Sequence, residues 1–173
     1  GSEVCMHAGA GPVRGNQTVG SMVSSLAPDV QTHFVTGTAA PCTSVFKPMW
    51  LGVELGDLFG PVPDGSYDEA TLFWRHEALH RATLRDYPAL APLYQTQRDA
   101  LEQQFVPGAL AFRHTAPEDR AAYASRCFAE AQAAEARWRA EVESAPASGS
   151  PGLLYRRAWR ARNRAAGITE NSS

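Results

Sequence analysis

The chain has 173 residues, 44% of them hydrophobic and 20% charged, and a formal net charge of -2. That is an ordinary globular balance, enough for one domain or for a sheet fragment with a helical appendage. It excludes the global basic footprint of a nucleic-acid or membrane-surface binder, and no apolar run approaches the roughly 20 residues of a membrane span. No basic segment followed by an apolar one opens the chain, so no secretory signal is read there. Gly1-Ser2 reads as a cleavage remnant, which leaves the natural start open, upstream or near Glu3.

Residues 3–50 read as a β-rich segment. Val4-Cys5-Met6-His7 is a short apolar run, ended by Ala8-Gly9-Ala10-Gly11-Pro12. Thr18 to Leu26, Thr32 to Thr36 and Thr43 to Phe46 follow, rich in Val, Thr and Phe, which predicts about four strands. Ala27-Pro28-Asp29 reads as a hairpin connection. Residues 51–66, with Gly52, Gly56, Gly60, Pro61, Pro63 and Gly65, are a loop.

Residues 67–143 read as helical. Ser66 and Glu69 form a capping-box pattern ahead of Leu72, Phe73, Leu79, Leu84 and Tyr87, and Pro88 breaks that helix. A second helix is predicted from about Pro92 to Phe105, before Pro107-Gly108. Thr115 and Glu118 form another capping box. Behind it, Tyr123, Cys127, Ala131, Ala134, Trp138 and Val142 recur every three or four residues, one apolar stripe on a long helix. Residues 144–152 are a linker by composition, and residues 153–173 an arginine-rich helical tail.

The cysteines are Cys5, Cys42 and Cys127, an odd count without tight spacing. Free thiols in a reducing, cytoplasmic compartment are the expectation, although Cys5 and Cys42 can pair if their strands are neighbours. The tail mixes Tyr155 and Trp159 with Arg156, Arg157, Arg160, Arg162 and Arg164. It reads as a solvated helix face or a capping contact with a partner subunit, since the charge footprint of a nucleic-acid binder is missing.

His76-Glu77-Ala78-Leu79-His80 fits H-E-x-x-H. Histidines four apart share a helical face and can hold one zinc ion, while Glu77 activates a water. Glu102 is the best-placed third ligand, with Asp86 and Asp99 poorer. Both histidines fall in the middle of the apolar face, which equally suits a helix packed on the sheet with each imidazole hydrogen-bonded to its neighbours. The absence of a third histidine after the motif, and the prolines Pro88 and Pro92, favour the structural role. Glu77 beside Arg75 and Arg81 reads as a solvent-facing ion pair.

Four stretches carry a resemblance: Cys5-Met6-His7-Ala8-Gly9; Gln17-Thr18-Val19-Gly20-Ser21-Met22-Val23-Ser24; Thr36-Gly37-Thr38-Ala39-Ala40-Pro41-Cys42 with Ser44-Val45-Phe46-Lys47-Pro48; and Trp74-Arg75-His76-Glu77 with Leu79-His80-Arg81. In this order and spacing they resemble the secernin and cysteine-dipeptidase family of N-terminal-nucleophile hydrolases, C-terminal portion only. The resemblance covers about the first 50 residues and this helix, and weakens from Gln95 onward. It implies a four-layer αββα fold and hydrolysis of dipeptides or related amides. The nucleophile would be an N-terminal cysteine whose free amine is the base, with no metal or organic cofactor. The segment that normally follows that cysteine is missing here, so no catalytic residue is carried over. Cys5 would serve as nucleophile only if processing exposed it, and otherwise reads as a half-buried strand cysteine. His7, Thr18, Ser21 and Cys42 match family positions and are substrate-side candidates.

The sequence thus predicts an α+β chain: late antiparallel strands of a hydrolase sandwich followed by a helical region. Its expected partners are an upstream nucleophile-bearing part of the same protein, a second copy of the chain and a dipeptide substrate, with no nucleic acid and no membrane. The alternatives are a zinc peptidase through His76, Glu77 and His80, and a non-catalytic assembly module.

Overall fold

A computed structural model describes residues 5–11 and 14–168. The class is α+β: a three-stranded antiparallel sheet and five α-helices among the described residues. Strands β1 (Met22–Ser25), β2 (Thr32–Val35) and β3 (Lys47–Met49) lie in the order β1-β2-β3. Val23 faces Phe34, and Phe34 faces Pro48.

Three strands form where about four were expected. Val4 lies outside the described residues, and Cys5 to Ala10 run without strand pairing. Two hydrogen bonds still tie that run to its neighbour: Thr18 N–H donates to the Met6 carbonyl and Met6 N–H donates to Thr18 Oγ1, both at 2.9 Å. The stretch Thr43 to Phe46 is not a strand either. Pro41–Thr43 is a 3-10 turn, and the strand begins at Lys47. Pro48 is tolerated because β3 is an edge strand, where a missing N–H breaks no inner ladder.

Residues 51–66 form turns and bends without regular structure. The first helix, α1 (Leu72–Thr83), starts later than the Ser66/Glu69 pattern predicts. Thr71 is its cap, its hydroxyl accepting from Trp74 N–H at 3.2 Å. Pro88 sits in the short α2 (Tyr87–Leu90), where proline near a helix start costs no internal bond.

Helix α3 (Pro92–Phe112) runs through Pro107-Gly108 instead of stopping at Phe105. Tertiary packing overrides the local signal here. A Cβ on Gly108 would collide with Tyr123 Oη of the next helix, so glycine permits the close approach of the two helices. That same hydroxyl donates to the Phe105 carbonyl at 3.2 Å, beside the proline that withholds a donor.

Helix α4 (Pro117–Ser144) begins on its proline with Ala116 as cap, and Thr115 instead closes α3 through the Phe112 carbonyl. Its stripe is the spine of the core: Cys127, Ala131, Ala134, Trp138 and Val142 pack with Val45, Leu79, Leu90, Tyr94 and Phe105. A second cluster joins Phe34, Trp50 and Val53 of the sheet side to Ala109 and Ala124. Thus α1 and α3 flank α4, and β3 lies against α3 and α4.

The tail helix α5 (Leu153–Ala165) folds back on the chain. Trp159 is buried, Arg162 donates to the Gly9 carbonyl at 3.0 Å, and Tyr67 N–H donates to the Ala166 carbonyl at 2.8 Å. No helix among the described residues is long and apolar enough to cross a membrane.

Candidate functional site

Both faces of α1 carry chemistry, and they are built differently. On the inner face His76 is fully buried. Its Nδ1 lies 3.0 Å from Glu135 Oε1 of α4, and its Nε2 lies 3.2 Å from Thr43 Oγ1 in the 3-10 turn. The Thr43 hydroxyl already donates to the Ala40 carbonyl at 2.7 Å, so it accepts from His76 Nε2–H. Both ring nitrogens of His76 are thus engaged inside the fold. Burial alone would raise the Glu135 carboxyl. The hydrogen bond and charge of His76, with Lys47 and Arg75, reverse this and hold it below its ordinary value.

Lys47 completes the centre. It is buried, donates to the Val45 carbonyl at 2.7 Å and lies 5.6 Å from the centre of the Phe128 ring. Burial lowers its pKa to about 8 against the upward pull of Glu135 and Glu102. Its ammonium is met by a carbonyl and an aromatic face, not by a direct ion pair among the described residues.

On the other face Glu77 is also fully buried, not the solvent-facing partner expected of it. The loop before β1 and helix α5 cover it. Gln17 Nε2 donates to its two carboxylate oxygens at 3.2 and 3.3 Å, Arg81 Nε donates at 2.8 Å, and His80 Nδ1 stands at 3.2 Å. Burial would raise the Glu77 carboxyl, but the hydrogen bond and charge of His80 and the Arg81 guanidinium hold it below its ordinary value. Burial pushes His80 down, against the pull of Glu77. Glu77 is thus paired with the fixed charge of Arg81 and bonded to His80 Nδ1. Arg81 in turn lies between the rings of Trp74 and Trp159, 5.2 and 5.4 Å from their centres, and donates to Asn163 Oδ1 at 3.0 Å.

These groups line a cleft of about 400 Å³ with Ala8, Gly15, Asn16, Gln17, Val19, Glu77, Arg81, Trp159 and Arg162 around it. Gln17 Oε1, Trp159 Nε1 and Arg162 Nη1 are buried polar atoms without a hydrogen-bond partner in the described structure. Buried polar atoms are normally satisfied, so three around one cleft mark a place for a polar ligand. A larger groove of about 810 Å³ runs along the far side of α5, but several of its arginines are engaged: Arg85 by the Val142 carbonyl, and Arg139 by Tyr67 and Glu143.

The structure brings some of the residues expected from sequence together and disperses others. His7 and Cys42 meet, His7 Nε2 lying 3.3 Å from Cys42 Sγ. Cys5 is beside them: ligand atoms of Cys5, His7 and Cys42 all lie within 4.8 Å of one another. Among the described residues these three are the set of His, Cys, Asp and Glu side chains placed to hold a metal. Thr18 is an anchor for the loop, its carbonyl accepting from Ala40 N–H at 3.0 Å. Ser21 bonds Thr36 through its backbone and takes no part in the cluster.

His76, His80 and Glu102 are not brought together as ligands. Both nitrogens of His76 are engaged, and Glu102 accepts from Phe46 N–H at 3.0 Å. Cys42 is exposed as a residue, but its thiol is turned against Cys5. Loss of solvent there and the neighbouring thiol push it up to about 12, the opposite of an activated nucleophile.

Asn163 is not singled out by the sequence, which reads Trp159 and Arg162 as part of a solvated helix face or a capping contact with a partner subunit, whereas the helix caps this chain's own α1. Its regular apolar positions were the available signal, and nothing local indicates which surface they cover. No family model matches the chain, and no curated protein or solved structure matches it.

Proposed function

We propose that the chain is the C-terminal, substrate-shaping portion of a secernin-like cysteine dipeptidase, with the nucleophile supplied by an upstream part of the same protein. The observation that carries this reading is the cleft. Its walls include Ala8, Gln17, Val19, Glu77 and Arg81 from three of the four family-like stretches, and it presents an unpartnered acceptor (Gln17 Oε1) and unpartnered donors (Trp159 Nε1, Arg162 Nη1). Donors of that kind suit a peptide carboxylate, and the acceptor suits an amide N–H or an amine. The volume suits a ligand of dipeptide size.

The state of β1 supports the same reading. Met22 and Val23 are adjacent, so they point to opposite faces of the sheet, yet they are 63% and 56% exposed. An edge strand with apolar side chains uncovered on both faces fits a sheet that continues into further layers. The upstream part of the αββα sandwich, or a second copy, would cover it. A non-catalytic assembly module would use the same strand but would leave the cleft without a purpose.

The test is calorimetric titration of this chain with a panel of simple dipeptides, alongside a hydrolysis assay with and without chelator. Binding without turnover, weakened by Gln17→Ala and by Arg162→Ala, is the expected result. Turnover by the chain alone, or no dipeptide bound at millimolar concentration, would overturn the proposal.

A further inference from the structure

We infer that Cys5, His7 and Cys42 form a zinc site, with His80 as its fourth ligand. This does not rest on the proposed function; the family resemblance implies no metal.

The first argument is donor chemistry. Two thiols and an imidazole are a borderline-soft set that suits zinc, and two thiolates with two neutral imidazoles balance its charge. The second is spacing. In a tetrahedral zinc centre, ligand atoms lie roughly 3.3–3.8 Å apart. His7 Nε2 and Cys42 Sγ are at 3.3 Å, and the three-residue set lies within 4.8 Å. A contraction of about 1 Å at most closes the set around an ion.

The third argument concerns His80. Its Nδ1 is committed to Glu77, which leaves Nε2 as the ring atom able to ligate. A carboxylate holding the far nitrogen of a histidine is the usual support of a zinc-bound imidazole. The His7 and His80 ring centres are 6.4 Å apart, and two imidazoles on one zinc have centres roughly 5 Å apart. Glu77 is itself held by Arg81 and Gln17, so the support is fixed before any ion arrives.

The fourth argument is local backbone. Ala40 holds a left-handed conformation with φ of 45° at the start of the turn that carries Cys42. Such a conformation is unfavourable for a residue with a Cβ and persists where its surroundings enforce it. Here the enforcing contacts are the Ala40 N–H bond to Thr18, the Thr43 bond to the Ala40 carbonyl, and the Arg98 guanidinium on the Cys42 carbonyl. The turn is pinned on every side while the Cys42 side chain points to His7.

On zinc binding, each thiol loses its proton to solvent and the thiolate sulfur donates an electron pair to the ion; no redox change occurs. The competing use of the same sulfurs is a Cys5–Cys42 disulfide, which would need an oxidant.

The test uses the full chain, reduced under a non-thiol reductant, and titrates it with Zn²⁺ and with Co²⁺ as a spectroscopic stand-in. One equivalent is expected, with thiolate-to-cobalt charge-transfer absorption and the intense visible bands of a tetrahedral site. Cys42→Ser should abolish the charge-transfer band or halve it and lower zinc affinity at least 100-fold. Cys127→Ser, in the core and away from the cluster, should change nothing. Glu77→Gln should lower affinity about 10–100-fold while keeping the cobalt spectrum. Circular dichroism checks that each variant is folded. The inference is overturned if the reduced chain takes up no stoichiometric metal, if the cobalt site lacks thiolate bands, or if the thiols oxidise to a disulfide and the reduced form binds no zinc. None of these results bears on dipeptide binding at the cleft, so the two proposals fail separately.

Discussion

His76 and His80 stand one turn apart on the same helix, yet they belong to different kinds of environment. Around His76 every polar group has a partner inside the fold: Glu135, Thr43 and the Ala40 carbonyl close the network, and Lys47 completes its charge. Around His80 the inventory stays open. Glu77 is saturated, but the cleft beside it carries three unpartnered polar atoms, and the His7 ring, itself clustered with Cys5 and Cys42, lies 6.4 Å from that of His80. The closed centre joins three distant pieces of chain, α1, α4 and the turn after β2. The open one has spare valence directed at a space. In a sequence motif the two histidines look equivalent; in the fold one is a structural tie and the other is available for chemistry.

The comparison breaks if the closed centre turns out to be dispensable. Glu135→Ala leaves an imidazole and an ammonium buried without their anion, and should destabilise the fold by about 3–5 kcal/mol in urea unfolding. Glu135→Gln keeps an acceptor for the His76 ring and should cost less. If both variants unfold at the wild-type midpoint, the centre carries no structural weight.

A next-largest effect is expected on the open side, from its cover and not from its hydrogen bonds. Trp159 is 7% exposed and packs against Arg81 and His80. Trp159→Ala should cost about 3 kcal/mol. It should also raise hydrogen exchange at the amides of α5 more than at those of α4, because Trp159 is the buried ring that α5 packs against α1.

The pH dependence sharpens the contrast. Lys47 has its pKa lowered from 10.5 to about 8 in the folded chain. Between those values the unfolded chain holds more protons, so stability should rise with pH through that window, on the order of 1–3 kcal/mol, with the full penalty present below about pH 8. Lys47→Met should flatten that rise. At the acid end stability also rises with pH, but there the groups contribute a gain and not a penalty. Glu77 and Glu135 are both held below their ordinary 4.5, so the stability they contribute is present above that value and is lost as pH falls through their lowered pKa values.

The smallest effect should come from Gln17→Ala. It removes a donor to Glu77, but Arg81 and His80 remain and the cleft admits water. A loss of about 0.5–1 kcal/mol is expected, against several for Glu135→Ala. Equal losses would mean that the two environments are not different in kind.

Much of the fold was legible. The stripe from Cys127 to Val142 is the spine of the core, and residues 51–66 lack regular structure as composition indicates, but the first helix ends at Thr83, ahead of Pro88, which sits inside α2. The placement of both histidines within the apolar face of α1 was correct, and it correctly left a hydrogen-bonded structural role open. The misreadings have two causes. At Ser66 and Thr115 a competing local signal won, the Thr71 hydroxyl capping Trp74 N–H and Pro117 opening α4, whereas at Pro107 a contact between helices decided, Tyr123 packed on Gly108.

By itself the sequence determined the class, the long central helix, the coarse order of strand-rich and helical parts, and the residue types able to do chemistry. Those follow from period, composition and turn chemistry, which act within a few residues. Only the tertiary structure decided which of these residues meet. Glu135 reaches His76 across 59 positions, Gln17 reaches Glu77 across 60, and Arg162 reaches Gly9 across 153. Pairings at such distances are set by how helices and strands bury their faces against one another, and no local periodicity encodes that choice. The division between a closed histidine and an open one, four residues apart, was made there.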